Sequence, residues 1–187
     1  GVLALASNTA SMLRDSPHAP GEPRMVWRTT TSSLMDAPAF TALLAEVVEP
    51  ELRASPGLLA PGERVRVALI TINNPSGTGY ADLLISRLRF NGRSVAENGA
   101  DFRMIVARDV AEEQMSEDTE RVASEAVAFR PHVILRLVDP PDLVAQIERR
   151  WPAGVRARPR YLMGNVDVEA TLRRAVQEHP DLKRRLF

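Results

Sequence analysis

Four short clusters of hydroxyl, amide and carboxylate residues stand directly behind apolar runs, where a chain leaving a strand would hold them at a sheet edge. Ser7, Asn8 and Thr9 follow residues 2–6, Ser76, Gly77 and Thr78 follow the run from Val65 to Ile72, Asp139 follows residues 133–138, and Asn165 follows residues 160–163. The chemistry open to such groups is recognition of a small polar ligand. Hydroxyls and free backbone N–H groups at Ser7, Asn8 and Thr9 can hold a carboxylate. Unpaired N–H groups at a helix start over Ser76, Gly77 and Thr78 favour an anion. Asp139 can pair with a ligand amine across a cleft. Each cluster also has an ordinary structural reading: a Ser/Thr turn, a helix cap, an Asp139 that caps a helix starting at Pro140 or Pro141, and an Asp167 that caps the last helix.

Catalytic constellations are not apparent. The sequence contains no GxSxG, GTGYAD lacks the third glycine of a dinucleotide fingerprint, and no Walker lysine follows it. His18, His132 and His179 have no metal-ligand spacing with one another or with a carboxylate cluster. We therefore expect a non-enzymatic binding module with neither cofactor nor metal. Trp27 and Trp151 read as packing residues, and the basic end from Arg173 to Arg185 as a solvated helix face interleaved with acids.

The elements that must position these groups follow from periodicity. Residues 65–72 form a nearly continuous branched apolar run, as expected for a parallel strand covered on both faces. It breaks at Asn73–Gly79, where Pro75 fixes φ, Gly77 and Gly79 permit positive φ, and Ser76 or Thr78 can cap the following helix. From there the pattern predicts a helix over 78–90, a strand within 101–108, a helix over 118–129, a strand over 132–138, a helix over 141–151, a strand over 160–163 and a helix over 168–179. Upstream, residues 2–6 and 25–28 read as extended, on either side of the Pro-rich loop DSPHAPGEPR. A helix over 37–53 has Asp36 as N-cap and a kink or early stop at Pro50. The segment NGRSVAENGA reads as a long connection with two Asn-Gly turns. Four strands alternating with helices give an α/β class: a doubly wound parallel sheet of Rossmann-like form.

Composition sets the partner classes. The 187 residues carry 24 cationic and 24 anionic side chains, a formal net charge of zero, which argues against nucleic acid or an anionic membrane as main partner. Lys183 is the only lysine and there is no cysteine, so disulfides and thiolate chemistry are excluded. No run approaches the ~20 apolar residues of a membrane span. The chain opens on Gly1 in what reads as a strand already in progress, so it has the look of part of a longer protein.

Three stretches, VLALASNTASML, MVWRTTTSS and VALITINNPSGTGYADLL, together with the order of the elements, resemble the type I periplasmic ligand-binding fold. The branch they resemble is that of the branched-chain amino-acid binding proteins of ABC transporters. The stretches are similar, in turn, to the small-residue turn ending a first-lobe strand, the crossover into the second lobe, and the second lobe's opening strand, turn and helix. FRPHVILRLVDPPDLVAQIERRW and RPRYLMGNVD are similar to the next cleft-side strands. Ser76 stands where that branch often has an aromatic residue, and Asp139, Pro140 and Pro141 replace a Gly/aromatic turn.

The resemblance implies that residues 1–27 are the remnant of a first lobe and its linker, and 28–187 an incomplete second lobe. It also implies a small ligand such as an amino acid or small carboxylate, held between the lobes, with Ser7 and Thr9 matching contacts to its α-carboxylate and α-amino groups. A permease partner and a periplasmic or membrane-anchored extracytoplasmic location follow from it. With most of one lobe absent, the fragment should bind ligand weakly or not at all and can self-associate through exposed lobe surface. Two alternatives stand beside this reading: a sensory ligand-binding domain of a signalling receptor, and a small α/β nucleotide-binding enzyme domain using the Ser76–Gly79 loop.

Overall fold

A computed structural model describes residues 3–5, 20, 26–28, 33–137, 142–163 and 169–187. Strands β1 (Leu3–Leu5) and β2 (Val26–Arg28) pair in parallel, with Leu3 opposite Val26. The two extended stretches flanking the Pro-rich segment are thus neighbours. A continuous helical stretch follows, made of α1 (Ser33–Ala42), a π turn (Leu43–Val48) and α2 (Glu49–Ala54). Two expectations are corrected here. Asp36 is not the N-cap, because the helix already begins at Ser33 and Asp36 lies in its first turn, where its charge still suits the dipole. Pro50 does not end the helix: the π turn precedes it, with the Glu49 N–H donating to Leu44 O five residues back, and Pro50, which lacks an N–H, sits at the start of the next α turn.

The main sheet is built from β3 (Val67–Ile72), β6 (Phe102–Ala107), β7 (Val133–Arg136) and β8 (Arg160–Met163), all parallel. The connections carry α3 (Pro75–Arg87), α5 (Glu112–Phe129) and α6 (Leu143–Arg150), and α7 (Glu169–Glu178) follows β8. The spatial order is β6-β3-β7-β8. Side chains along β3 alternate between two cores: Val67 and Leu69 join a cluster with Leu44, Leu52, Tyr80 and Leu84, while Ala68 and Ile70 join Val122, Ala126, Ile147 and Tyr161. Both faces are therefore covered, which is why the strand reads as an unbroken apolar run. The α/β doubly wound class expected from the alternation is the class observed.

Several boundaries differ, each for a local reason. α3 starts at Pro75 and stops at Arg87, because Leu88, Arg89 and Phe90 turn into a small hairpin of β4 (Arg89–Phe90) and β5 (Arg93–Ser94). Asn91 and Gly92 take positive φ (52° and 70°) in its tip, as an Asn-Gly hairpin turn requires. The NGRSVAENGA segment is thus not merely a connection: it also holds α4 (Val95–Asn98), closed by a capping box of Ser94 and Glu97. The Asn91 side chain accepts from Val65 N at 2.9 Å and donates to Val65 O at 2.9 Å, tying the hairpin to the entry of β3. α5 begins at Glu112, six residues before Asp118. Asp118 instead points inward from within the helix, accepting from Arg108 N at 2.7 Å and pairing with Arg121 at 2.8 Å.

On the second face, a carboxylate with 0 % of its side chain exposed fastens the C-terminal segment. Glu148 of α6 accepts from the Tyr161 hydroxyl at 2.7 Å, from both terminal nitrogens of Arg185 at 2.8 and 2.9 Å, and from Arg158 at 2.6 Å. Burial opposes its ionisation, but the hydrogen bonds from Arg185, Tyr161 and Arg158 outweigh that and hold the carboxyl below its ordinary range. The same burial, reinforced by Glu148, pushes the Tyr161 hydroxyl well up. Phe187 N donates to Tyr161 O and Met163 N to Phe187 O, so the chain end lies along β8.

Candidate functional site

Strand order locates the place where a ligand would sit. From β3 the chain passes over one face through α3 to β6, then returns over the other face through α5 to β7. The connections therefore diverge between β3 and β7, and the carboxyl ends of strands at such a divergence are the usual ligand position in open α/β sheets. The Asn73–Gly79 turn leaves β3 at that point. Residues 138–141, including Asp139, follow β7 and lie outside the described residues, as do Ser7, Asn8, Thr9, Asn165 and Asp167.

The turn is built differently from its sequence reading. Neither Ser76 nor Thr78 is the cap: Asn74 is the N-cap of α3, its Oδ1 accepting from Gly77 N at 2.8 Å. The Thr78 hydroxyl donates to Asn74 O at 2.8 Å, and Thr78 N donates to the same oxygen at 2.9 Å. Pro75 has no N–H and occupies the first helical turn, its favoured position. Nor do Gly77 and Gly79 take positive φ, since both lie within the helix. Gly77 is needed for proximity instead: a Cβ there would stand 2.3 Å from Ile72 O and 2.9 Å from Thr71 Oγ1, whereas a Cβ on Gly79 would meet nothing within 4 Å. Much of the anion-binding capacity expected of Ser76, Gly77 and Thr78 is thus used internally, with the Gly77 amide and the Thr78 hydroxyl both bonded to Asn74. Ser76 is the residue of the three whose hydroxyl is not drawn into this cap among the described residues.

Two buried hydroxyls accompany the turn. Thr71 Oγ1 and the Tyr80 hydroxyl have no hydrogen-bond partner among the described residues. Burial, aided by the Asp36 charge, pushes the Tyr80 hydroxyl well above its ordinary range, so it stays a neutral donor. Its ring packs edge-on against Phe40 with centroids 6.5 Å apart.

Sequence reasoning passed over Arg136. It is the last residue of β7, only 2 % exposed, and its Nη1 lies 3.3 Å from Met163 Sδ at the end of β8. It brings a cation to the carboxyl edge where the segments bearing Asp139 and Asn165 depart. The signal was present: an arginine interrupts the apolar run of a strand buried on both faces, where charged side chains are rarely buried.

A second concavity, of about 600 Å³, opens at the opposite, amino edge of the sheet. Three connections line it: 57–63 leading into β3, 130–132 into β7 and 151–157 into β8. His132 is buried here, its Nδ1 accepting from Arg66 N at 3.0 Å and its Nε2 3.4 Å from Glu63 Oε1. No spacing in the sequence foretold this cluster, because its members come from separate connections. Among the described residues, no three His, Asp or Glu side chains are grouped to hold a metal ion. No protein-family model matches the chain, and no curated protein matches it either.

Proposed function

We propose that this chain is a ligand-binding lobe of an extracytoplasmic solute-binding protein that serves an ABC transporter. In this reading it takes a small polar molecule, such as an amino acid or small carboxylate, at the carboxyl edge between β3 and β7. The observation that carries the reading is the β6-β3-β7-β8 order, which puts the Asn73–Gly79 turn beside the end of β7 at the point where the crossovers diverge. Ser76 contributes a hydroxyl that the helix cap does not use, a group suited to a small polar ligand. Internal capping of the turn weighs against a phosphate cradle, because the amide of Gly77 is already bonded to Asn74.

A thermal-shift panel of amino acids, small carboxylates and nucleotides tests this. Ligand at 100 times Kd stabilises by about 2.7 kcal/mol, which for a chain of this size raises Tm by about 5–10 °C. Stabilisation by an amino acid or carboxylate supports the reading. A response confined to nucleotides contradicts it and supports the nucleotide-binding enzyme instead.

A further inference from the structure

We infer that the amino-edge cleft is a second binding site, separate from the carboxyl edge, for a small anion bearing a carboxylate or phosphate group. The cleft has an excess of donors. Arg66, Arg130 and Arg156 line it together with His132 and Trp151, and Glu63 is the only acid of its wall among the described residues. Glu63 is already engaged: Oε2 accepts from Ala60 N at 2.9 Å, while Oε1 stands 3.4 Å from His132 Nε2 and 3.8 Å from Arg66 Nη2.

The donors left over are specific. His132 is not among them: it is 6 % exposed, its Nδ1 accepts the Arg66 N–H, and the proton this leaves on Nε2 faces Glu63 Oε1 at 3.4 Å. Arg66 Nε and Trp151 Nε1 are both buried without an acceptor among the described residues, and Trp151 is only 5 % exposed. Buried donors are seldom left unpaired, so two in the wall of one cleft indicate a missing acceptor. Arg130 and Arg156, both exposed, add positive potential at the mouth. An anion there would meet the Arg66 guanidinium beside an indole N–H, in a space sized for a small organic molecule.

Isothermal titration of the whole chain with inorganic phosphate and with succinate tests the site and separates the two anion chemistries. The tighter of the two names the class. Arg66→Met and Trp151→Phe should each weaken that binding, the first by about tenfold to a hundredfold, the loss expected for a charge-assisted hydrogen bond. Trp151→Phe keeps an aromatic six-membered ring and loses the pyrrole ring with its N–H, so it reports on the donor even where Arg66→Met impairs folding. Ser116→Ala, exposed in the first turns of α5 and outside both sites, should leave the affinity unchanged. Absence of binding of both anions to the unsubstituted chain, or equal affinity in Trp151→Phe, overturns the proposal.

Discussion

Gly77 and Gly79 are two residues apart in one helix, yet the same substitution should act on them in opposite directions. An alanine Cβ at Gly77 would stand 2.3 Å from Ile72 O, about 1 Å inside ordinary van der Waals contact. The obstructing atom is a backbone carbonyl of β3, which cannot rotate away, so α3 must lift from the strand on which Tyr80 and Leu84 pack. Overpacking of this kind costs about 1–3 kcal/mol. At Gly79 nothing lies within 4 Å, and Gly→Ala in a helix gains about 0.5–1 kcal/mol. The propensity gain is common to both sites, so the difference between Gly77→Ala and Gly79→Ala isolates the clash. It should be about 1–3 kcal/mol, or about 2–12 °C in Tm. Urea unfolding and calorimetry of the two variants beside the unsubstituted chain measure it. Equal stability of the two, or a more stable Gly77→Ala, would refute the close docking of α3 on β3, and with it the geometry assigned to the carboxyl-edge turn.

Other outcomes follow from the same structure. Asn74→Ala removes the side-chain cap of α3 and should cost about 1 kcal/mol in denaturant unfolding. Glu148→Gln leaves the buried Arg185 guanidinium with only the exposed Asp181 carboxylate as counter-charge and should cost about 3–5 kcal/mol; adding Arg185→Met should recover part of that, and a strictly additive double variant would contradict the coupling. Stability should also depend on pH in two separable steps. Burial and the neighbouring Arg66 charge lower the His132 pKa against the opposing pull of Glu63, so the folded chain resists protonation and Tm should start to fall below about pH 6.5. His132→Gln should flatten that first step. Glu148 and Asp118 are both held below their ordinary values by partners that outweigh burial, so their contribution is complete above about pH 4.5 and is lost at lower pH.

The α/β layout was readable because each central strand is buried on both faces and announces itself as an unbroken branched apolar run. Helix starts were less legible. The first turns of α5, Glu112 to Glu117, are polar and acidic with no apolar period, so the helix reads as starting at Asp118, which is an inward-facing ion-pair partner within it. The strands of the Arg89–Ser94 hairpin are two residues each, too short to show alternation. At the turn after β3, residue types located the site but misassigned the roles: Asn74 takes the cap expected of Ser76 or Thr78, and Gly77 serves contact, not a left-handed backbone. Arg136 was visible as a charge inside an apolar run. The amino-edge cleft had no such signal, because Arg66, His132 and Trp151 meet only through strand register, with Val67 opposite Val133 and Val133 opposite Arg160.

The central claim, a small-ligand site at the carboxyl edge between β3 and β7, is tested most directly by an amide NMR titration of the chain with amino acids and small carboxylates, which also detects weak binding. The account predicts shifts concentrated at Asn73–Gly79 and around Arg136 and Leu137. Shifts confined to Arg66, His132 and Trp151, or none at either edge, would contradict it.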